Sequence, residues 1–153
     1  MIHLAALALL GALCLTACVL DLRFRRLPNW LCAVTAVTGI AHAVAIPVVA
    51  TAWYSSLLHG TVALIIGMVL FAFRWIGGGD AKFYAALACW LPFRQAPLLL
   101  TSVCLVGFLL LVAWFTVRRI QGKKISMGRN GEEAAKLPFG IAIALGGLLA
   151  VAN

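Results

Sequence analysis

Leu57-Leu58-His59-Gly60-Thr61-Val62-Ala63-Leu64-Ile65-Ile66-Gly67-Met68-Val69-Leu70-Phe71-Ala72-Phe73 runs without a charged residue and then breaks into Arg74-Trp75-Ile76-Gly77-Gly78-Gly79-Asp80-Ala81-Lys82, after which apolar residues resume. A helix crossing a bilayer needs ~20 mostly apolar residues, and this run is of that kind. The break is as informative as the run. It confines the polar groups to one short connection and puts an aspartate at the head of the next apolar stretch. An ionisable group so near membrane depth is costly, so it reads as functional and asks for a partner.

The same alternation fills the rest of the chain. Hydrophobic residues make up 65% of it and charged residues 10%, with a mean hydropathy of +1.10, well outside the range of a soluble domain. Six stretches are expected to span: Ile2 to Leu20, Trp30 to Ala50, Leu57 to Phe73, Ala81 to Leu91, Pro97 to Val117 and Leu137 to Ala152. The fourth is short, and is expected to begin within the glycine run or to stop before the outer surface. Together they predict an all-α polytopic membrane protein, a bundle of about six transmembrane helices forming a single membrane-embedded domain over residues 1–153.

A formal net charge of +8 would suggest nucleic acid for a soluble chain. Here the basic residues lie between spans, where they set topology instead, and no nucleic-acid partner is expected. With the first connection inside, the inner side carries Arg23, Arg25, Arg26, Arg74, Lys82, Arg118, Arg119, Lys123, Lys124, Arg129 and Lys136, and the outer side only Arg94. The amino terminus is therefore expected outside and both aspartates at the cytoplasmic face. Glu132 and Glu133 fall in the last inner loop.

The chain has only two aspartates, Asp80 and the Asp21 of Asp21-Leu22-Arg23-Phe24-Arg25-Arg26-Leu27-Pro28-Asn29. Two separate connections thus bring both to one membrane face, and each is the natural partner of the other. Two carboxylates sharing a proton can serve as general base and general acid on one water, activating it against a peptide carbonyl. Asp21 follows the carboxyl end of the first span and Asp80 precedes the fourth, so the helix dipoles favour Asp80 as the ionised member, whereas Arg23, Arg25 and Arg26 would reverse this by stabilising Asp21. The three glycines can take unusual backbone angles and leave the main chain bare for an extended substrate to pair with.

The remaining polar residues read more plainly. Cys14, Cys18, Cys32, Cys89 and Cys104 lie within or beside apolar spans with no Cys-x-x-Cys, which argues against zinc and a disulfide framework. His3, His42 and His59 would lie in the outer half, away from the aspartates, as packing or interfacial residues. His-Glu-x-x-His is absent, and Ser55, Ser56, Ser102 and Ser126 have no histidine partner deep in the spans.

The Asp-x-Arg run ending in Pro28-Asn29, then Gly77-x-Gly79-Asp80-x-Lys82, then Leu137-Pro138-Phe139-Gly140-Ile141-Ala142-Ile143-Ala144-Leu145-Gly146 at the head of the last span, resembles the type IV prepilin peptidase family, aspartic proteases of the Gly-x-Gly-Asp class. The resemblance runs from about Asp21 to Gly147. It implies that Asp21 and Asp80 are catalytic and that the enzyme sits in the bacterial inner membrane, while Gly77, Gly78, Gly79 and Lys82 are the residues expected to contact substrate. The implied reaction is removal of a short basic leader from a prepilin at the cytoplasmic face. Long members carry an added cytoplasmic domain with paired Cys-x-x-Cys motifs and also N-methylate the pilin. This chain lacks those cysteines and is similar to the short, protease-only form of tight-adherence (Flp) pilus systems, so no N-methyltransferase domain, metal or cofactor is expected. The rival reading is a small transporter or pilus-assembly subunit that uses the two aspartates to bind a proton or cation.

Overall fold

A computed structural model describes residues 2–45, 52–120 and 139–152. Among these the chain forms helices α1 (Ile2–Phe24), α2 (Asn29–Ala45), α3 (Ala52–Ala72), α4 (Gly78–Ala88), α5 (Ala96–Ile120) and α6 (Phe139–Ala152), with a 3-10 turn at Phe93–Gln95 and no strand. This is the expected all-α membrane bundle. Three segments are long and apolar enough to cross a membrane by themselves, Leu4–Phe24, Trp53–Ala72 and Phe93–Val117, and α2 and α6 are shorter apolar helices. Residues 46–50 of the second expected span, Leu137 and Pro138 of the sixth, and the inner-loop charges Lys123, Lys124, Arg129, Glu132, Glu133 and Lys136 lie outside the described residues.

α3 begins at Ala52, ahead of the expected Leu57, and the end of α1 differs from expectation beside an aspartate. α1 continues through Arg23 and Phe24, so Asp21 lies in its last turn and not in the connection. The helix stops because Arg25 turns into the left-handed region at φ 50°, where its N–H returns to the Asp21 carbonyl at 3.0 Å. α4 begins within the glycine run, as expected: Gly77 is the extended N-cap at φ −72° and ψ 141°, and Gly78 and Gly79 are already helical. Glycine is a poor helix former, but tertiary contacts hold these two. Cβ atoms there would lie 3.2 Å from the Phe71 ring and 3.4 Å from Leu27 Cβ.

Contacts between the helices fix how they run. Along α3 and α4, Gly67 faces Ala81, Gly60 faces Ala85 and Cys89, and Ser55 Oγ accepts from the Phe93 N–H at 3.0 Å, so the two are antiparallel. α2 runs parallel to α4: Asn29 meets Lys82 at one end, and at the other the Trp90 indole donates to the Thr35 carbonyl at 2.9 Å and stacks on His42. α6 is antiparallel to α5, Gly146 lying on Val103 and Gly107 on Phe139 and Ala142. Small residues at these crossings let backbones approach closely, which is what drives helix association where lipid removes the hydrophobic difference.

The polarity of the packing suits lipid. α4 is the most enclosed helix, with Ala81, Phe83, Ala85, Ala86, Leu87 and Ala88 all buried between α2, α3 and α6. Leu15, Val19, Ile65, Ile66, Leu105 and Phe108 instead point outward from α1, α3 and α5. Large apolar residues on the outside of a bundle need an apolar surrounding.

Candidate active site

The carboxyl end of α1 and the amino ends of α4 and α6 meet at one end of the bundle. Three local structures place the first acid. Asp21 is carried by the last turn of α1 and is only 7% exposed. Its carboxylate lies against the first turn of α6, where the backbone amides of Gly140 and Ile141 act on it, and Arg25 adds an electrostatic contribution. Those amides belong to the first turn, whose N–H groups have no helical partner of their own. Oδ2 of Asp21 is enclosed and has no hydrogen-bond partner among the described residues. A buried, unpaired carboxylate oxygen is costly, so the site is built for something to approach it.

Asp80 comes from the opposite direction in the chain. It is the third residue of α4, a position from which a carboxylate reaches back towards the N-cap amide, and Gly77 supplies that amide. A Cβ at Gly77 would stand 2.7 Å from Asp80 Oδ2, so the glycine leaves room for the acid. The loop after α1 packs Leu27 against Gly79, which ties the Asp21 segment to the Asp80 turn.

Asp21 and Asp80 lie within electrostatic reach of each other. Asp80 stands ahead of the apolar stretch 81–91, and its carboxyl is pushed up to about 6, by burial first and by the Asp21 charge second, against the pull of the Gly77 amide. Burial and the neighbouring acid thus act on Asp80 against the amino end of α4, whose dipole favours the ionised form.

The other expected site residues gather here too. Lys82 Nζ donates to Asn29 Oδ1 at 3.0 Å, and Cys32 of α2 lies within electrostatic reach of Lys82 and Asp80. From that pair a cleft of about 390 Å³ runs between α2, α3 and α4, floored by Ala36, Gly60, Ala85 and Ala86 and reaching Cys89. Strand-like pairing along all three glycines does not fit, because only Gly77 is extended and α4 takes up the next two. Gly140 and Ile141 were legible only as part of a motif, since a backbone amide leaves no side-chain signal. His59 and His42 keep to the far end, as expected: His59 Nδ1 hydrogen-bonds the Leu91 carbonyl at 3.0 Å and its ring meets Phe93. Among the described residues no three His, Cys, Asp or Glu side chains come together as a metal site.

Two carboxyl groups within electrostatic reach of each other can act on a water and a carbonyl between them, one as base and the other as acid. The sequence model of the type IV leader peptidase family matches residues 8–112, a stretch that contains Asp21, the glycine run and Asp80. No curated protein matches the chain. No solved structure does either.

Proposed function

Because this chain belongs to the type IV leader peptidase family, we propose that it is an aspartic endopeptidase that removes the leader from prepilins, with Asp21 and Asp80 as the catalytic pair. The observation that carries the proposal is the convergence of these two acids from separate helices on one end of the bundle, close enough for the charge of one to act on the other. In the proposed reaction ionised Asp21 takes a proton from water, whose oxygen bonds to the scissile carbonyl carbon. Asp80 gives its proton to the carbonyl oxygen, forming a neutral tetrahedral intermediate. Collapse breaks the C–N bond, the departing nitrogen takes a proton from Asp21, and Asp80 recovers its own from the intermediate. Net, one water is consumed, and a carboxyl and an amine are released.

The finer parts of the proposal follow from the charge pattern and the family. The site faces the cytoplasm from the bacterial inner membrane, the substrate is a small Flp-type prepilin, and trimming proceeds as a single-domain activity without methyl transfer. Gly77, Gly78, Gly79 and Lys82 contact the leader, Gly78 and Gly79 through first-turn N–H groups that α4 leaves without helical partners.

Co-expression with a prepilin, followed by mass spectrometry of the pilin, tests the assignment. Asp21→Asn and Asp80→Asn should each abolish leader removal while the protein still inserts, and the double variant should be no worse than either, as expected of residues acting as a unit. An Asp80→Asn protein that matured prepilin at the parent rate would overturn the aspartic assignment.

A further inference from the structure

We propose that Gly140 is the positioning residue for Asp21: the bare first turn of α6 is the seat of the Asp21 carboxylate, and a side chain at 140 unseats it. The inference rests on reading Asp21 as catalytic.

The geometry is specific to this glycine. A Cβ at 140 would lie 2.7 Å from Oδ2 of Asp21, 2.9 Å from Cγ and 3.3 Å from its Cβ. Separations under about 3 Å between such atoms are not sustained, so one of the two must move. What would move is the functional end of Asp21, in a side chain with almost no exposure and one oxygen already without a partner. The other glycines of α6 have different neighbours: Gly146 admits the Val103 backbone of α5, and Gly147 admits the Leu87 side chain of α4. Those two set how close the helices lie, whereas Gly140 sets where a carboxylate lies.

Electrostatics gives the seat its purpose. The Gly140 and Ile141 amides act on the carboxylate where it lies against this bare turn, and N–H groups at a helix amino terminus favour an anion there. Gly140 thus holds Asp21 at a fixed distance from α6 and fixes its position relative to Asp80 on α4, which also packs on α6. Displacing a catalytic group by about 1 Å can cost on the order of 10²-fold in rate.

The test is Gly140→Ala in the purified full chain reconstituted in bilayers, assayed on prepilin. The expected result is a kcat lower by on the order of 10²-fold with KM within about 2-fold of the parent, the pattern of an interaction needed only in the transition state. Gly107→Ala, whose Cβ would meet Phe139 and Ala142 at 3.4 and 3.6 Å, is the packing control and should keep the parent kcat. Thermal melting supplies a readout independent of activity. Gly140→Ala should lower the Tm of the parent and lower that of an Asp21→Ala protein distinctly less, because the carboxyl group the methyl meets is then gone. A kcat within a few-fold of the parent would overturn the proposal, and so would equal loss of stability in the two backgrounds, failure to fold in both included. An active Asp21→Asn protein would instead overturn the catalytic reading of Asp21, while the melting comparison would still report on the contact itself.

Discussion

Lys82 Nζ donates to Asn29 Oδ1 at 3.0 Å, joining α4 just beyond its first turn to the first residue of α2 across 53 positions of sequence. Because α2 and α4 run parallel, the bond locks their starting levels together beside Asp80. Lys82→Met and Asn29→Ala should each lower stability by about 0.5–1 kcal/mol, and the double variant should lose little more than either alone. Thermal melts of the four proteins measure this. A Lys82→Met protein that lost far more prepilin processing than stability would add a direct role on substrate.

Having only two aspartates makes the pair directly observable. Aspartate labelled with carbon-13 at the side-chain carboxyl should give two carboxyl resonances, one titrating with a midpoint near 6, the value to which burial and the Asp21 charge push Asp80. In Asp21→Asn that midpoint should fall, since one of the two influences raising it is removed. Processing that depends on the Asp80 proton should in turn decline as pH rises through the same region, although a coupled pair titrates as a unit. An Asp80 midpoint unchanged by Asp21→Asn would refute the electrostatic contact.

Arg74 ends α3 with φ 61°, its N–H on the Phe71 carbonyl at 2.9 Å while the Trp75 N–H bonds the Leu70 carbonyl at 3.0 Å. This is the left-handed helix stop normally given to glycine. Arg74→Gly should therefore stabilise the protein by about 1 kcal/mol, read as a higher Tm. Arg25 has the same conformation at the end of α1 but also acts on Asp21. There the same change should gain less and should disturb processing.

The charge asymmetry makes a prediction about sides. In a cysteine-free background, a thiol placed at Trp75 should react with a membrane-impermeant probe only from the cytoplasmic face. One placed at Arg94 should react only from the outside. The opposite pattern would invert the bundle and move both aspartates to the outer face.

The helices were legible from apolar runs because a span has few ways to hide its length: five of the six begin or end within a few residues of where the hydropathy changes. The start of α4 within the glycine run was legible as well, and Phe71 and Leu27 press against Gly78 and Gly79 there. The failure lies where tertiary contact overrides local preference. Asp21 and Arg23 read as the start of a connection, yet the helix persists until Arg25 stops it. The acids themselves were conspicuous through scarcity. What surrounds Asp21 was not, because it is assembled from backbone amides more than a hundred residues away in sequence, and nothing in the residues near position 21 announces them.

Asp21 lies in the last turn of its helix and Asp80 in the first turn of its own. One helical turn is about 5.4 Å. The hydrated headgroup layer on each side of the hydrocarbon is about 5–7 Å deep, so with these helix ends at the membrane surface, as the proposed function has them, both carboxylates would fall within it. A hydrolase at that depth draws its second substrate from the wet margin of the membrane and needs no channel through the bundle to deliver it. The polypeptide meets the opposite condition: the bond to be cut must leave any helical conformation and come down about one turn below the surface before either acid can reach it.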